Sequence, residues 1–227
     1  MITKALLFRF ESQTDEDTMD TFLEDLATEV SWEKATRAWF GIRYMRGEFG
    51  VYTCFDDDAG REAHLAGQAN ATLHAAEQRL MTAAPRATKI ELLGAKMPKV
   101  LEGVTKGLVL RFKAKPGKEA EVAQMMRDCQ PLVEKEAGTL AWFANQYDES
   151  HFGTFAVFAD NGGRFSHLTG QIPRALGMTG LSLLGGAPEV HMVDVTLTTH
   201  DARGLTMKDI ELARFIDRVA AGTGAAA

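Results

Sequence analysis

Cysteine is nearly absent from this chain: Cys54 and Cys129 are the two in 227 residues. Two thiols make no disulfide framework. They occupy non-equivalent places in the internal repeat described below, so no crosslink is built into the repeated unit. Both are expected to be reduced, buried and inert. Long apolar runs are missing too. No stretch approaches the roughly 18 residues needed to span a bilayer. A strand pattern begins at Lys4 without a signal-peptide core, so a cytoplasmic protein off the membrane is expected. A basic excess is missing as well: 25 Lys and Arg against 31 Asp and Glu give a net charge of −6. Nucleic-acid binding, which calls for a basic surface, is therefore not expected. The six histidines (His64, His74, His151, His167, His191 and His200) show no HxxxH or HExxH spacing, so no metal site is read. There is no phosphate loop; Gly162-Gly163 and Gly185-Gly186 read as turns.

What is present is a sequence stated twice. A shift of 103 positions lays Thr36–Leu92 on Thr139–Val195 with 19 of 57 residues identical and no gap. Ala38-Trp39-Phe40 meets Ala141-Trp142-Phe143, and Tyr44 meets Tyr147. Phe49-Gly50 meets Phe152-Gly153, Gly60-Arg61 meets Gly163-Arg164, and His64-Leu65 meets His167-Leu168. A duplicated unit of this size is one supersecondary fold that covers its exposed face with a copy of itself. Hydrophobic content of 45% and charged content of 25% suit two globular units of about 100 residues.

Alternation predicts a strand at Lys4–Glu11. Met19, Phe22, Leu23, Leu26 and Val30 form a helical stripe. Arg37–Met45 and Glu48–Phe55 read as a hairpin turning at Arg46-Gly47. Asp56-Asp57-Asp58 caps a helical stretch to about Ala84, broken near Gly67, and Thr88–Leu93 is a last strand. The second copy repeats this order: a strand at Gly107–Lys113 and a stripe at Val122, Met125, Met126, Cys129 and Val133. A hairpin at Leu140–Tyr147 and Phe152–Phe158, a helical stretch at Asp160–Leu184 and a strand at Val190–Leu197 follow. The linker falls near Gly94–Val104. The order β-α-β-β-α-β, read twice, is the ferredoxin-like split unit. Its sheet carries helices on one face, so the fold expected is α+β, two units packed sheet to sheet as a closed or nearly closed barrel. The units are 1–98 and 104–199. A C-terminal helix at 205–221, with Leu212, Phe215, Ile216 and Val219 as its apolar stripe, docks on this protein or makes a homodimer.

The first strands Leu6-Leu-Phe-Arg-Phe10 and Leu108-Val-Leu-Arg-Phe112 carry a family resemblance. So do the hairpins and the segments Phe55-Asp-Asp-Asp-Ala-Gly-Arg-Glu-Ala-His-Leu65 and Phe158-Ala-Asp-Asn-Gly-Gly-Arg-Phe-Ser-His-Leu168. Together they resemble the dimeric α+β barrel superfamily and, within it, the antibiotic-biosynthesis-monooxygenase-like domains. Members usually build the barrel from two chains; here one chain would supply both halves. The resemblance implies a cofactor-independent monooxygenase-like activity on a small aromatic or quinol-type ligand. The family also holds haem-degrading enzymes and proteins with no assigned reaction.

On that reading His167, or His64, is the proton acceptor, since an imidazole titrates near neutral pH and can deprotonate a phenol or quinol. The structural alternative makes the repeated His-Leu a helix element. Trp39 with Tyr44, and Trp142 with Tyr147, can wall a pocket for a flat ring, but each pair is five residues apart and a regular strand sends its members to opposite faces. Asn145 shares a face with Phe143 and Tyr147, where the first copy has Ile42, so any pocket is expected to be asymmetric and centred on the second copy. Arg9 and Arg111 are expected to face the barrel interior, paired with Glu91 and Asp194 or holding an anionic ligand between them. Haem degradation is disfavoured. That branch uses a first-strand asparagine, where this chain has Phe8 and Leu110. It also uses a helix tryptophan, where this chain has His64 and His167. Haem binding through His74 or His64 is a third reading, and a non-catalytic small-molecule-binding or assembly module is another.

Overall fold

The computed structural model describes residues 1–45, 47–170 and 182–200, with side chains through 195. The expected C-terminal helix at 205–221 lies outside the described residues. The first half runs β1 (Lys4–Glu11), α1 (Glu16–Val30), β2 (Thr36–Arg43), β3 (Glu48–Phe55), α2 (Asp58–Leu65), α3 (Gln68–Ala75), α4 (Glu77–Leu80) and β4 (Arg86–Lys96). The second runs β5 (Lys106–Lys113), α5 (Glu119–Val133), β6 (Ala141–Gln146), β7 (His151–Phe158), α6 (Asn161–Leu168) and β8 (Glu189–His200).

Local chemistry places these boundaries. Asp15 caps α1 by accepting from the Thr18 N–H at 2.8 Å. Asp57 and Asp160 cap α2 and α6 by accepting from the Gly60 and Gly163 N–H groups, each at 2.9 Å. The two hairpins turn by different means. Gly47 takes φ of +75°, a region open to glycine. In the second hairpin the Asp148 carboxylate accepts from the Ser150 and His151 N–H groups, both at 2.8 Å.

Eight strands close a barrel in the order β1-β3-β2-β8-β5-β7-β6-β4, and every adjacent pair is antiparallel. Within each half the sheet order is the ferredoxin-like 4-1-3-2. The outer strands seal the barrel: β4 pairs with β1 and also with β6, and β8 pairs with β5 and also with β2. This corrects the expected linker. Gly94, Ala95 and Lys96 belong to β4, opposite Ala144, Phe143 and Trp142. The strand continues because the other half's edge supplies partners for its backbone.

Three apolar clusters result. Phe8, Phe10, Met19, Phe22, Leu26 and Trp39 are among those joining the first sheet to its helices. Leu108, Phe112, Val122, Met126, Cys129 and Trp142 do the same in the second half. The third cluster fills the barrel with Phe40, Tyr44, Tyr52, Phe143 and Phe155, among others. No helix among the described residues is long and apolar enough to cross a membrane.

The repeated Phe-Gly pairs have a packing reason. Gly50 and Gly153 sit opposite Arg9 and Arg111 in register, and the rings of Tyr44 and Tyr147 lie over them. A Cβ on Gly153 would stand 2.0 Å from the Leu110 carbonyl oxygen and 3.1 Å from the Tyr147 ring. Gly153→Ala should therefore force β5 and β7 apart at a cost of about 1–3 kcal/mol or more. A drop in melting temperature of at least roughly 4 °C by circular dichroism is expected; an unchanged melt would contradict this close approach. Both cysteines are free and buried. Burial raises the Cys54 thiol well above its ordinary range and pushes Cys129 up to about 11. At pH 8 both are protonated, so a thiol-reactive chromophore should give no colour with the native protein and two equivalents after unfolding.

Candidate functional site

The structure divides the sequence-predicted residues between two places. His64, His167, Trp39 and Trp142 face the helices outside the barrel. Asn145, Tyr147, Tyr44, Arg9 and Arg111 face inward. Period-two alternation explains the split, since Trp142 and Asn145 are three residues apart on one strand. Trp142, Asn145 and Tyr147 are therefore not brought together around His167.

On the outside, each histidine ends a short helix and meets a carboxylate from the loop after the preceding long helix. His64 Nδ1 is 2.6 Å from Glu33 Oε2, and His167 Nδ1 is 2.6 Å from Glu136 Oε2. A carboxylate accepts, so Nδ1 donates, and in the neutral ring Nε2 keeps the lone pair. The same carboxylate oxygens accept from Thr36 Oγ1 at 2.6 Å and Thr139 Oγ1 at 2.8 Å. His64 is 5% exposed and His167 2%. The rings pack on Phe55 and Phe158, with centroids at 5.3 and 5.4 Å. Gly67 and Gly170 leave room for this unit: a Cβ there would come within 3.2 Å of Glu33 Oε1 and 3.0 Å of Glu136 Oε1.

Glu33 and Glu136 were missed in the sequence. They also stand 103 positions apart, three residues before the aligned block that begins at Thr36, so extending the repeat would have found them. Arg61 and Arg164 complete the repeated set. Arg61 Nη1 donates to the Ile90 carbonyl at 3.1 Å, and Arg164 Nη1 to the Val193 carbonyl at 3.2 Å. Each guanidinium thus ties a helix to the last strand of its half.

The described residues leave different spaces at the two outer sites, and those matching Ala69, Asn70 and Leu73 in the second half lie outside the described residues. Beside His64, a cavity of about 10 Å³ is bounded by Phe8, Leu26, Trp39, Val51, Ala69, Asn70 and Leu73. That is room for about one water and none for a porphyrin. His74 is exposed on α3, edge-on to Phe8 at 6.0 Å. Beside His167, an open cleft of about 260 Å³ lies between the α5–β6 loop and α6, lined by Leu132, Lys135, Glu136, Thr139, Ser166 and His167, with glycines between them. This exceeds the ~150 Å³ of a cavity that holds benzene. Among the described residues no group of three or more His, Cys, Asp or Glu is placed to hold a metal ion.

The barrel interior is filled by side chains. Tyr52 and Phe155 have centroids 4.8 Å apart, Phe40 and Phe155 5.3 Å, and Tyr52 and Phe143 5.4 Å. Through this layer Tyr52 Oη donates to Asn145 Oδ1 at 2.7 Å, and Asn145 Nδ2 donates to Tyr147 Oη at 3.3 Å. Burial raises the phenols of Tyr44, Tyr52 and Tyr147, so they remain neutral and are unsuited to act as bases at neutral pH.

The expected ion pairs are corrected. Arg9 Nε donates to Glu48 at 2.9 Å, not to Glu91. Glu91 meets Lys4 and Arg61. Asp194 takes Lys106 at 2.6 Å and Arg43 at 3.5 Å, not Arg111. First and last strands do adjoin, but their register places Lys4 opposite Glu91 and Lys106 opposite Asp194. Arg9 and Arg111 instead stack on Tyr44 and Tyr147, at 4.6 and 4.5 Å from the ring centroids.

Comparison with solved structures places this architecture. A candidate monooxygenase from Fusobacterium nucleatum superposes with a TM-score of 0.76 at 16% identity, over 88% of this chain and 95% of that one. An anthrone oxidase-like protein superposes with a TM-score of 0.60 at 11% identity, over 89% and 94%. The chain thus has the dimeric α+β barrel fold of antibiotic-biosynthesis-monooxygenase-like proteins. A second likeness is local. Residues 188–219 match the family pterin 4 alpha carbinolamine dehydratase. A candidate dehydratase from Burkholderia vietnamiensis is 77% identical over 31 residues, 14% of this chain and 30% of that protein. The chain spans about a third or less of the curated relatives it matches. That match contains β8.

Tyr52→Phe should leave Asn145 Oδ1 buried without its donor, which costs about 1–3 kcal/mol. Chemical denaturation should show a lower midpoint with an unchanged slope; an unaltered midpoint would mean that the Tyr52–Asn145 bond contributes nothing.

Proposed function

We propose that this chain is a cofactor-independent monooxygenase-like enzyme acting on a small aromatic or quinol-type compound, with His167 as the proton acceptor. The observation that carries the reading is buried His167 paired with Glu136 beside a cleft of ring-sized volume. A carboxylate on Nδ1 fixes the tautomer and orientation of the imidazole, so Nε2 is the nitrogen that takes a proton. Thr139 holds the same carboxylate in place. Removing a proton from an activated CH₂ or a phenol leaves an anion electron-rich enough to react with O₂. The CH₂ becomes a carbonyl, and the second oxygen atom leaves as water with the two hydrogens removed. Glu33–His64 repeats the pair, but its single-water cavity has no space for a substrate, which favours the second half as the active one. The fold shared with an anthrone oxidase-like protein supports this class of substrate. The dehydratase likeness covers β8 and residues 201–219, which lie outside the described residues, and about 30% of the curated dehydratase.

A second reading has its own support. The barrel interior holds a layer of aromatic side chains in contact, and an identical His–Glu tie stands beside a space that holds one water. On that reading both ties are structural, anchoring α2 and α6, and the protein binds or assembles without catalysis.

Oxygen uptake with anthrone as the probe separates them. Turnover above the spontaneous rate, reduced at least about 100-fold in His167→Ala and retained in His64→Ala, is expected. Uptake no faster than without protein, or equal in wild type and in a folded His167→Ala variant, would sink the catalytic reading.

A further inference from the structure

Strand directions put Arg9 and Arg111 at the same mouth of the barrel. Neighbours alternate in direction round the closed sheet, so β1 and β5, four places apart, point the same way. Each arginine stands two residues before the end of its strand, half-buried and stacked on the tyrosine of its own half. Both cations act on both phenols, lowering the pKa values that burial raises, so the four side chains form one cluster.

The two halves then part. In the first, the Arg9 guanidinium is neutralised by Glu48, opposite Glu11 near the end of the same ladder. In the second, the position equivalent to Glu48 is His151, whose Nδ1 turns away to Asp148 at 2.8 Å. Among the described residues no carboxylate lies within ion-pair distance of Arg111; its one close partner is the Tyr147 ring. Glu189 faces Arg111 across the β5–β8 ladder, but it is exposed and makes no ion pair. Arg86 lies opposite Arg9 in the same way. With Glu11 opposite Glu48 and Lys113 opposite His151, the mouth therefore holds Arg9, Arg86, Arg111 and Lys113 against Glu11, Glu48 and Glu189. A second polar group is also unsatisfied. His191, opposite Val109 and edge-on to Tyr44 at 5.8 Å, buries its Nε2 with no hydrogen-bond partner among the described residues.

We propose that this mouth binds a small carboxylate, with its two oxygens on the Arg111 guanidinium and His191 as a further donor. The guanidinium fork matches a carboxylate in a bidentate way, as no single point charge does. The bound group takes the place that Glu48 fills in the first half. His191 lies diagonal to Arg111 on the ladder, a spacing of about 7–8 Å that an arginine and a shared ligand can bridge. The site is separate from His167, and its failure would leave the oxygenase reading untouched.

Acetate is the probe, titrated against chloride at constant ionic strength into the full chain. The arginine Nε–Hε and histidine ring signals are followed by nuclear magnetic resonance. Saturable shifts of the Arg111 and His191 signals are expected at one acetate per chain, with the Arg9 signal unmoved. Arg111→Gln should abolish the shifts. His151→Glu, which restores the first half's carboxylate, should weaken acetate binding at least about tenfold. Glu48→Gln, which leaves Arg9 in the state of Arg111, should add a second site. Acetate shifting nothing beyond what chloride does would overturn the proposal. So would wild-type binding in His151→Glu together with no added site in Glu48→Gln.

Discussion

Each half of this protein makes a four-stranded sheet with helices on one face, and the bare face has to be buried. Everything else follows from how that is done. A loose sandwich would leave four edge strands open to other chains. Here β4 and β8 each serve two ladders, one in their own half and one in the other, and the sheet closes with no edge. Closure at eight strands leaves an interior wide enough for side chains and little more. Phe40, Tyr52, Phe143 and Phe155 occupy it. The barrel is thus a core rather than a container. Any ligand is left the outer clefts, where helices meet the sheet, and the mouths, where strands end.

The element order was legible because its signals are local. The alternation of Leu6, Phe8 and Phe10, the stripe from Met19 to Val30 and the caps Asp57 and Asp160 each act within a few residues. The repeat then supplied the global arrangement. Ion pairing was not legible, because it depends on stagger between strands. Arg9 and Glu91 lie on neighbouring strands as expected, yet the register opposes Glu91 to Lys4, five residues or about 16 Å along β1. The linker was misplaced for a related reason: Gly94–Lys96 look like a connector until the other half's edge is available to pair with them. The alternation that separates Trp39 from Tyr44 also separates Trp142 from Asn145 and Tyr147. Glu33 and Glu136 were within reach, since they repeat at the interval that defines the two halves.

Identity between the halves and difference between them carry different information. Thr36, Gly60, Arg61, His64 and Gly67, with their counterparts, form one connected device. The glycines make room, the arginine reaches a strand carbonyl, and the histidine and threonine share a carboxylate. Such a device holds a short helix against the sheet in both halves whether or not it does chemistry. Chemistry is therefore better sought where the halves diverge around it. Around His64, Ala69 and Leu73 of α3 close the space down to one water. Around His167 the described residues leave a cleft, and positions 172 and 176, which match Ala69 and Leu73, lie outside them. At the barrel mouth Glu48 satisfies one arginine, while His151 leaves the other unsatisfied.

The strand that completes the barrel shows how little sequence closure demands. β8 offers Val193 and Val195 to the interior and its backbone to β5 on one side and β2 on the other. Main-chain hydrogen bonds are blind to side-chain identity, so any segment with alternating apolar residues and the right length can seal the gap. The likeness of residues 188–219 to a pterin dehydratase family is compatible with that role and does not explain it. A site is a constellation drawn from several elements, and a match confined to less than a third of the curated dehydratase spans only part of one. The neighbours of β8 in this barrel are β2 and β5. It is their side chains, Arg43, Lys106 and Arg111, that set the electrostatic surroundings of the strand and so what the segment can contribute here.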